Sequence, residues 1–91
     1  MVIILSLASI SAMKLSDLPR YASGTVSAVE AISVGDPIAR RLAELGFVPG
    51  ETVRLVALGP MGGDPILVQV GFTRFALRRS EADRVKLEVE G

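Results

Sequence analysis

The sequence contains no cysteine, no histidine and no tryptophan among its 91 residues. Without cysteine there is no disulfide, no thiolate zinc site, no iron–sulfur cluster and no cysteine nucleophile. Without histidine the chain lacks the usual general base near neutral pH and the commonest transition-metal ligand. No nucleophile–base pair and no phosphate-binding glycine motif leading into a helix are found. The missing residue types therefore favour a binding or structural module over an enzyme.

The sequence also has no excess of either charge, because ten basic and ten acidic residues cancel. Such a chain has no global field to attract nucleic acid or an anionic membrane. One Tyr and three Phe leave almost no stacking platform for bases. A basic group does occur late in the sequence, at Arg74, Arg78, Arg79 and Arg84. We nevertheless expect no nucleic-acid partner.

The first twelve residues, MVIILSLASISA, are apolar and uncharged. They are too few to span a bilayer, which takes about 20 apolar residues, and they lack the positive start of a secretory signal. We expect residues 1–12 to be a disordered extension, or the native protein to start at Met13, and residues 13–91 to form one domain. The alternatives are an added strand or a self-association segment, since an exposed apolar run is sticky.

The stretch from Asp36 to Gly50 predicts one short helix followed by a tight turn. Asp36 is a good N-cap, and Pro37 suits the first helical position. Gly46 is placed to end the helix in the left-handed conformation, with Phe47 folding back over Leu42 in a Schellman motif. The following segment, Val48-Pro49-Gly50-Glu51, is typical of a type II turn. Ile38, Leu42 and Phe47 are expected in the core.

Short runs rich in β-branched and alternating apolar residues predict five strands. These are Thr25–Ile32, Thr52–Leu58, Ile66–Val70, Thr73–Arg79 and Val85–Glu90. A helical turn is expected at Ser80–Asp83, with Ser80 as its cap. A sheet of five short strands avoids exposed edges best when it curls into a small barrel. The prediction is a mainly β, small SH3-like β-barrel with one short α-helix between the first and second strands. An OB-type barrel is the alternative.

Two surface segments are candidates for contact with a protein partner. The first is the glycine- and proline-rich loop after the second predicted strand, where a partner can approach the backbone closely. Its candidate residues are Leu58, Gly59, Pro60, Met61, Gly62, Gly63 and Asp64. The second is the exposed pair Arg40 and Arg41 on the helix. The alternative for the loop is a long hairpin connection with no binding role. The alternative for the arginines is that they only keep the helix surface solvated, and this alternative is slightly favoured.

Metal ligands are restricted to carboxylates and carbonyls, which suit hard cations better than a selective Fe²⁺ site. Asp64, Glu81 and Asp83 are the candidate ligands, since Asp36 is better used as a helix cap. We expect no intrinsic cofactor, and at most a weakly bound divalent metal. Exposed strand edges and the apolar N-terminal run favour weak homodimerisation.

Several motifs recur in the order and spacing of a known family. They are LAELGFVPG at 42–50, Gly59-Pro60 with Gly63-Asp64-Pro65, FALRR at 75–79 with Glu81-Ala82, and the closing VKLEVE. With the opening MKLSDLP, this set resembles the FeoA family over residues 13–90. Each motif is weak alone, but the ordered set covers nearly the whole domain.

The resemblance implies an SH3-like barrel of the bacterial cytoplasm that serves as an accessory to the membrane ferrous-iron transporter FeoB. It implies a protein-interaction role, with the chain held at the inner membrane only through its partner. The family is also similar to the C-terminal barrel of DtxR-type iron repressors. The alternative function is therefore a metal-responsive regulatory domain.

Overall fold

The computed structural model describes residues 10–90. Six strands, a 3₁₀ turn and two helices make up this part of the chain. They are β1 (Ile10–Lys14), the 3₁₀ turn (Leu15–Asp17), β2 (Ser23–Val29), α1 (Pro37–Leu45), β3 (Thr52–Leu58), β4 (Ile66–Val70), β5 (Thr73–Leu77), α2 (Arg79–Ala82) and β6 (Val85–Glu90). None of the helices in the described range is long and apolar enough to cross a membrane.

The strands form one antiparallel sheet in the order β1-β6-β2-β3-β4-β5. The mainly β prediction is confirmed, but three details of it are wrong. There are six strands rather than five, so α1 lies between the second and third strands and not between the first and second. Within residues 10–90 no ladder joins β5 to β1, so the sheet is not closed into a barrel by hydrogen bonds.

The extra strand comes from the end of the predicted N-terminal extension. Ile10 pairs with Glu90, and Lys14 pairs with Lys86. Residues 10–12 therefore belong to the sheet, so the expectation of a disordered extension is wrong for them and the alternative of an added strand holds there. The remaining residues of the extension, 1–9, lie outside the described part of the chain.

Helix α1 has the ends that its sequence predicts. The Asp36 carboxylate accepts a hydrogen bond from the Ile38 N–H at 3.0 Å, and Pro37 occupies the first turn. At the other end Gly46 takes a φ of 117°. The Phe47 N–H reaches the Leu42 carbonyl at 3.1 Å, as a Schellman motif requires.

The turn after α1 is also confirmed. Gly50 has a φ of 95°, and the Glu51 N–H donates to the Val48 carbonyl at 3.1 Å. These features are those of a type II turn, in which the third residue takes positive φ. The turn delivers the chain directly into β3.

Three predicted elements have different bounds in the structure. The predicted strand Thr73–Arg79 is observed as Thr73–Leu77, because α2 begins at Arg79. The first predicted strand, Thr25–Ile32, is observed as Ser23–Val29. Beyond it the Ile32 N–H bonds the Asp36 carboxylate at 3.1 Å, which turns the chain toward α1. The predicted cap at Ser80 is wrong, since α2 begins at Arg79 and the Glu81 carboxylate accepts from the Arg78 N–H at 2.9 Å.

The core is almost entirely aliphatic and is built from the sheet, the 3₁₀ turn and both helices. Fourteen buried hydrophobic residues form one cluster. Its largest fully buried member is Phe47, whose ring centroid lies 5.8 Å from that of Phe75. Leu42 is buried as predicted, whereas Ile38 is only partly buried against this cluster. Ile38 is therefore available to a surface groove.

Candidate functional site

Strand β5 forms one edge of the sheet and carries the candidate site. Phe75 and Leu77 face the core side, while Arg74 and Ala76 are exposed. Only β4 pairs with β5 among the described strands. An unpaired edge presents backbone hydrogen-bonding groups to a partner unless something covers it.

A groove of about 270 Å³ separates α1 from β5. Its floor is apolar, with Ile38 and Leu45 on the helix side and Phe75 on the strand side. Arg41 and Glu81 lie at its rim. Because the floor residues are only half-buried, an apolar side chain of a partner would bury them further.

A second depression, of about 430 Å³, adjoins the groove at Ala76. It is lined by Met61, Pro65, Ala76, Arg78 and Glu81, together with Asp64. Ala76 and Glu81 line both depressions. The two predicted contact segments, the loop and the helix, are thus joined by β5 into one surface, which we call the β5 face.

The loop between β3 and β4 is held in shape by backbone contacts. A Cβ on Gly59 would clash with the Pro65 carbonyl oxygen, so only glycine fits there. The Arg79 N–H donates to the Asp64 carboxylate at 3.0 Å, and Arg79 Nε donates to the Gly63 carbonyl at 3.2 Å. These bonds tie the loop to the start of α2.

The loop residues predicted to contact a partner do not all behave alike. Met61 is 79% exposed and lines the second depression. Leu58, Gly59 and Pro60 line a smaller apolar depression that also includes Ala76. Gly62 is exposed, whereas Gly63 is held against Arg79. Met61 is therefore the loop side chain best placed to meet a partner.

The two helix arginines are separated by their positions on α1. Both are exposed, but Arg41 lines the groove and Arg40 does not. Neither forms an ion pair with another residue in the range 10–90. The structure thus brings Arg41, but not Arg40, onto the β5 face.

The three carboxylates predicted as metal ligands have separate structural tasks. Asp64 accepts from the Arg79 N–H, and Glu81 accepts from the Arg78 N–H. Asp83 accepts from the Ser16 hydroxyl and lies 3.6 Å from Lys14 Nζ. No cluster of three or more His, Cys, Asp or Glu residues suited to a metal occurs among the described residues. The three ligands are therefore not assembled into one site.

The hydrogen bond from Ser16 lowers the pKa of Asp83 below its usual 3.8, and the nearby Lys14 and Lys86 charges act in the same direction. This carboxylate is therefore ionised at neutral pH and engaged with the 3₁₀ turn and β1. These contacts tie Asp83 to the fold.

The late basic group divides into internal and exposed arginines. Arg84 is buried and pairs with Asp36, and Arg79 Nη1 donates to the Ser16 carbonyl at 2.6 Å. Arg74 and Arg78 remain exposed on β5 and just after it. Sequence alternation correctly placed these two on one side, but it did not reveal that the other two serve the fold.

Sequence reasoning missed the edge strand itself as part of the site. Phe75 and Ala76 carry no motif that marks them as surface residues of special interest. In the sequence, β5 is recognisable only as a short strand of alternating residues between two turns. This pattern does not indicate whether a strand lies at the edge or in the middle of the sheet. The outline of the site became visible only with the strand order.

These features define a small, mainly β domain of the SH3-like type, in which β5 is one of the two edge strands of the described sheet. The chain belongs to the FeoA domain family, whose family model matches residues 13–89. Comparison with curated proteins gives no match.

Solved structures agree with this assignment. A FeoA from Stenotrophomonas maltophilia, complexed with zinc and described as an SH3 domain protein, is 63% identical with a TM-score of 0.78 over 82% of this chain and 88% of its own. FeoA from Chlorobium tepidum is 32% identical with a TM-score of 0.72 over 85% of this chain and 70% of its own. IdeR from T. acidophilum is 17% identical, with a TM-score of 0.70 over 92% of this chain and 37% of its own, and shares the fold alone.

Proposed function

We propose that this chain is a non-enzymatic cytoplasmic accessory protein of ferrous iron uptake. It acts by binding the cytoplasmic part of the membrane transporter FeoB through the β5 face, and it is held at the inner membrane only by that contact. Family membership supports the link to ferrous iron. The site chemistry supports binding rather than catalysis, because its two carboxylates, Asp64 and Glu81, are engaged in holding the fold, while its groove has apolar side chains for contact.

The observation that carries this proposal is the convergence of two separately predicted segments. Arg41 of the helix and Met61 of the loop line two depressions that share Ala76. Met61 is adaptable and unbranched, a type of side chain suited to a contact that must accommodate a partner. A protein surface with an apolar floor and a polar rim is a common form of interface.

The regulatory alternative has weaker support. IdeR and the manganese-dependent transcriptional repressors are similar in fold only, at 17% to 23% identity. Asp64, Glu81 and Asp83 do not converge on one point in the described chain. We therefore propose that no metal is resident, and that any divalent cation binds weakly and outside the main function.

The test is direct binding of the chain to the cytoplasmic domain of FeoB from the same genome, immobilised on an interferometry sensor. We expect the wild-type chain to bind, and Met61→Asp and Arg41→Glu to weaken binding. Arg40→Glu is the matched control, because it reverses a charge on the same helix outside the groove. It should bind as the wild type does.

Two results would count against the proposal in different ways. Absence of wild-type binding would remove FeoB as the partner. Equally strong binding by Arg41→Glu, Met61→Asp and the control would support FeoB as the partner. It would exclude the β5 face as the surface that contacts FeoB. Ferrous iron uptake in cells that carry each variant should follow the same order as binding.

A further inference from the structure

The hairpin geometry decides which backbone groups of β5 point away from the sheet. Val70 and Thr73 are paired and are joined by the two-residue turn Gly71-Phe72, with Gly71 at a φ of 59°. In such a tight hairpin the pair flanking the turn exchanges both hydrogen bonds, and bonded and non-bonded pairs then alternate. Thr73, Phe75 and Leu77 therefore bond toward β4, whereas Arg74 and Ala76 direct their N–H and C=O groups outward.

An independent set of bonds leads to the same assignment. The Leu55 N–H donates to Ala22 and its carbonyl accepts from Tyr21, so Leu55 bonds away from β4. Its neighbour Arg54 must then bond toward β4, where it pairs with Gln69. With Gln69 directed to β3, the adjacent Val70 is directed to β5. The outward orientation of Arg74 and Ala76 follows again.

Helix α2 closes the open edge at one end. The Arg78 N–H donates to the Glu81 carboxylate, and the Arg78 carbonyl accepts from the Glu81 and Ala82 N–H groups. The edge groups of Arg78 are thus already satisfied. What remains open is a short segment of four backbone groups, the N–H and C=O of Arg74 and of Ala76.

The charges around this open segment are unbalanced. Arg41, Arg74 and Arg78 are exposed, and none forms an ion pair with another residue of the described chain. The nearby carboxylates of Asp64 and Glu81 already accept backbone hydrogen bonds. Three guanidinium groups thus stand against two carboxylates that are held by the backbone, so the excess charge of this edge is positive and favours a negatively charged partner segment.

We propose that an extended, acidic segment of the partner adds to the free edge of β5 as a further strand. Its backbone bonds Arg74 and Ala76, one apolar side chain enters the groove between Ile38 and Phe75, and flanking carboxylates meet the unpaired arginines. Strand addition of this kind obtains affinity from main-chain bonds and specificity from pockets for alternate side chains. This inference rests on the proposed function, because the segment belongs to the cytoplasmic part of FeoB.

The experiment is amide hydrogen exchange of the ¹⁵N-labelled chain, read by NMR with and without the FeoB cytoplasmic domain. In the free chain the Arg74 and Ala76 amides should exchange rapidly. In the complex both should slow at least tenfold, whereas Phe75 and Leu77, already bonded to β4, should change far less. Binding that leaves the Arg74 and Ala76 exchange rates unchanged would overturn strand addition and retain FeoB as the partner.

A substitution separates main-chain bonding from side-chain contact. Ala76→Pro removes one outward N–H, and proline is tolerated on edge strands where that group faces solvent. Ala76→Val is the matched control, since it keeps the N–H and favours a strand. We expect Ala76→Pro to weaken FeoB binding at least tenfold and Ala76→Val to weaken it much less.

A further pair tests the acidic character of the added segment. Arg78→Gln should weaken binding roughly two- to fivefold, as loss of a partly exposed ion pair does, while Arg40→Gln should have no effect. If Ala76→Pro folds and binds as the wild type does, strand addition is wrong. If the wild-type chain does not bind FeoB at all, the proposed function and this inference both fail.

Discussion

Arg84 Nε lies 2.7 Å from Asp36 Oδ2, joining two residues 48 positions apart in a buried ion pair. The same aspartate caps α1 through Ile38, and Arg84 Nη1 donates to the Ser80 carbonyl at 2.7 Å. The pair therefore connects the start of α1 to α2 and β6. It holds the helix side of the groove in place relative to the rest of the domain.

This ion pair makes stability sensitive to acid. The Arg84 guanidinium, together with the Ile32 N–H, lowers the pKa of Asp36 from 3.8 to about 2. A carboxylate with a depressed folded-state pKa stabilises the protein above its unfolded value and loses that contribution as the pH falls. We expect the urea midpoint to fall between about pH 4 and pH 2, and Asp36→Asn to lose much of that dependence.

The measurement is urea unfolding of both proteins at closely spaced pH values, with Glu44→Gln as a control for removing one negative charge from α1. The lowered pKa of Asp83 acts in the same direction, so some acid dependence should remain in Asp36→Asn. An acid profile of Asp36→Asn that overlays the wild-type profile would contradict the assigned role of the pair.

Two phenylalanines should differ sharply in their effect on stability. Phe47 is fully buried and packs on Phe75, whereas Phe72 is fully exposed in the hairpin turn. Phe47→Ala should cost about 3–5 kcal/mol of unfolding free energy, because it removes a large side chain and leaves a cavity. Phe72→Ala should stay within about 0.5 kcal/mol of the wild type. Urea unfolding measures both, and equal costs would disprove the placement of the core.

Asp64 should act as a structural residue of the loop. Its carboxylate accepts from the first N–H of α2, so Asp64→Ala should lower the unfolding free energy by about 1 kcal/mol, as loss of a helix cap does. Asp17→Ala is the control, since Asp17 is exposed and its carboxylate makes no hydrogen bond among the described residues. Thermal unfolding followed by circular dichroism compares them. A neutral Asp64→Ala would show that the loop holds without this bond.

Ferrous iron should bind the isolated domain weakly. Asp64, Glu81 and Asp83 are engaged by Arg79, Arg78 and Ser16 respectively, and scattered carboxylates do not make a selective Fe²⁺ site. We expect anaerobic isothermal titration with Fe²⁺ to give no saturable heat. Saturable binding at one ion per chain that is lost in the variant Asp64→Asn/Glu81→Gln/Asp83→Asn would establish the site that we do not expect.

Helix α1 and the turn after it were predictable because every signal that defines them is local. Asp36, Pro37, Gly46 and Gly50 each act within a few residues of their own position, through a cap, a fixed φ or a positive φ. The strands β3, β4 and β6 were predicted with their observed bounds, because alternation of buried and exposed residues is also local.

The candidate site was predicted only in pieces. The loop and Arg41 were recognised from composition and exposure, but as unrelated segments. Their meeting across Ala76 depends on β5 lying at the sheet edge and on α1 lying beside it. Both arrangements depend on contacts between residues far apart in the sequence. No local property of the loop or of α1 indicates that the two segments lie close together.

By itself, the order of residues determined which segments become helix, turn and strand, and it ruled out cysteine and histidine chemistry. The tertiary structure alone decided that β1 joins the sheet, that β5 is left at its edge, and that Arg84 and Arg79 turn inward. The physical reason is that capping and alternation act over a few residues, whereas strand order and ion pairs such as Asp36–Arg84 join residues dozens of positions apart.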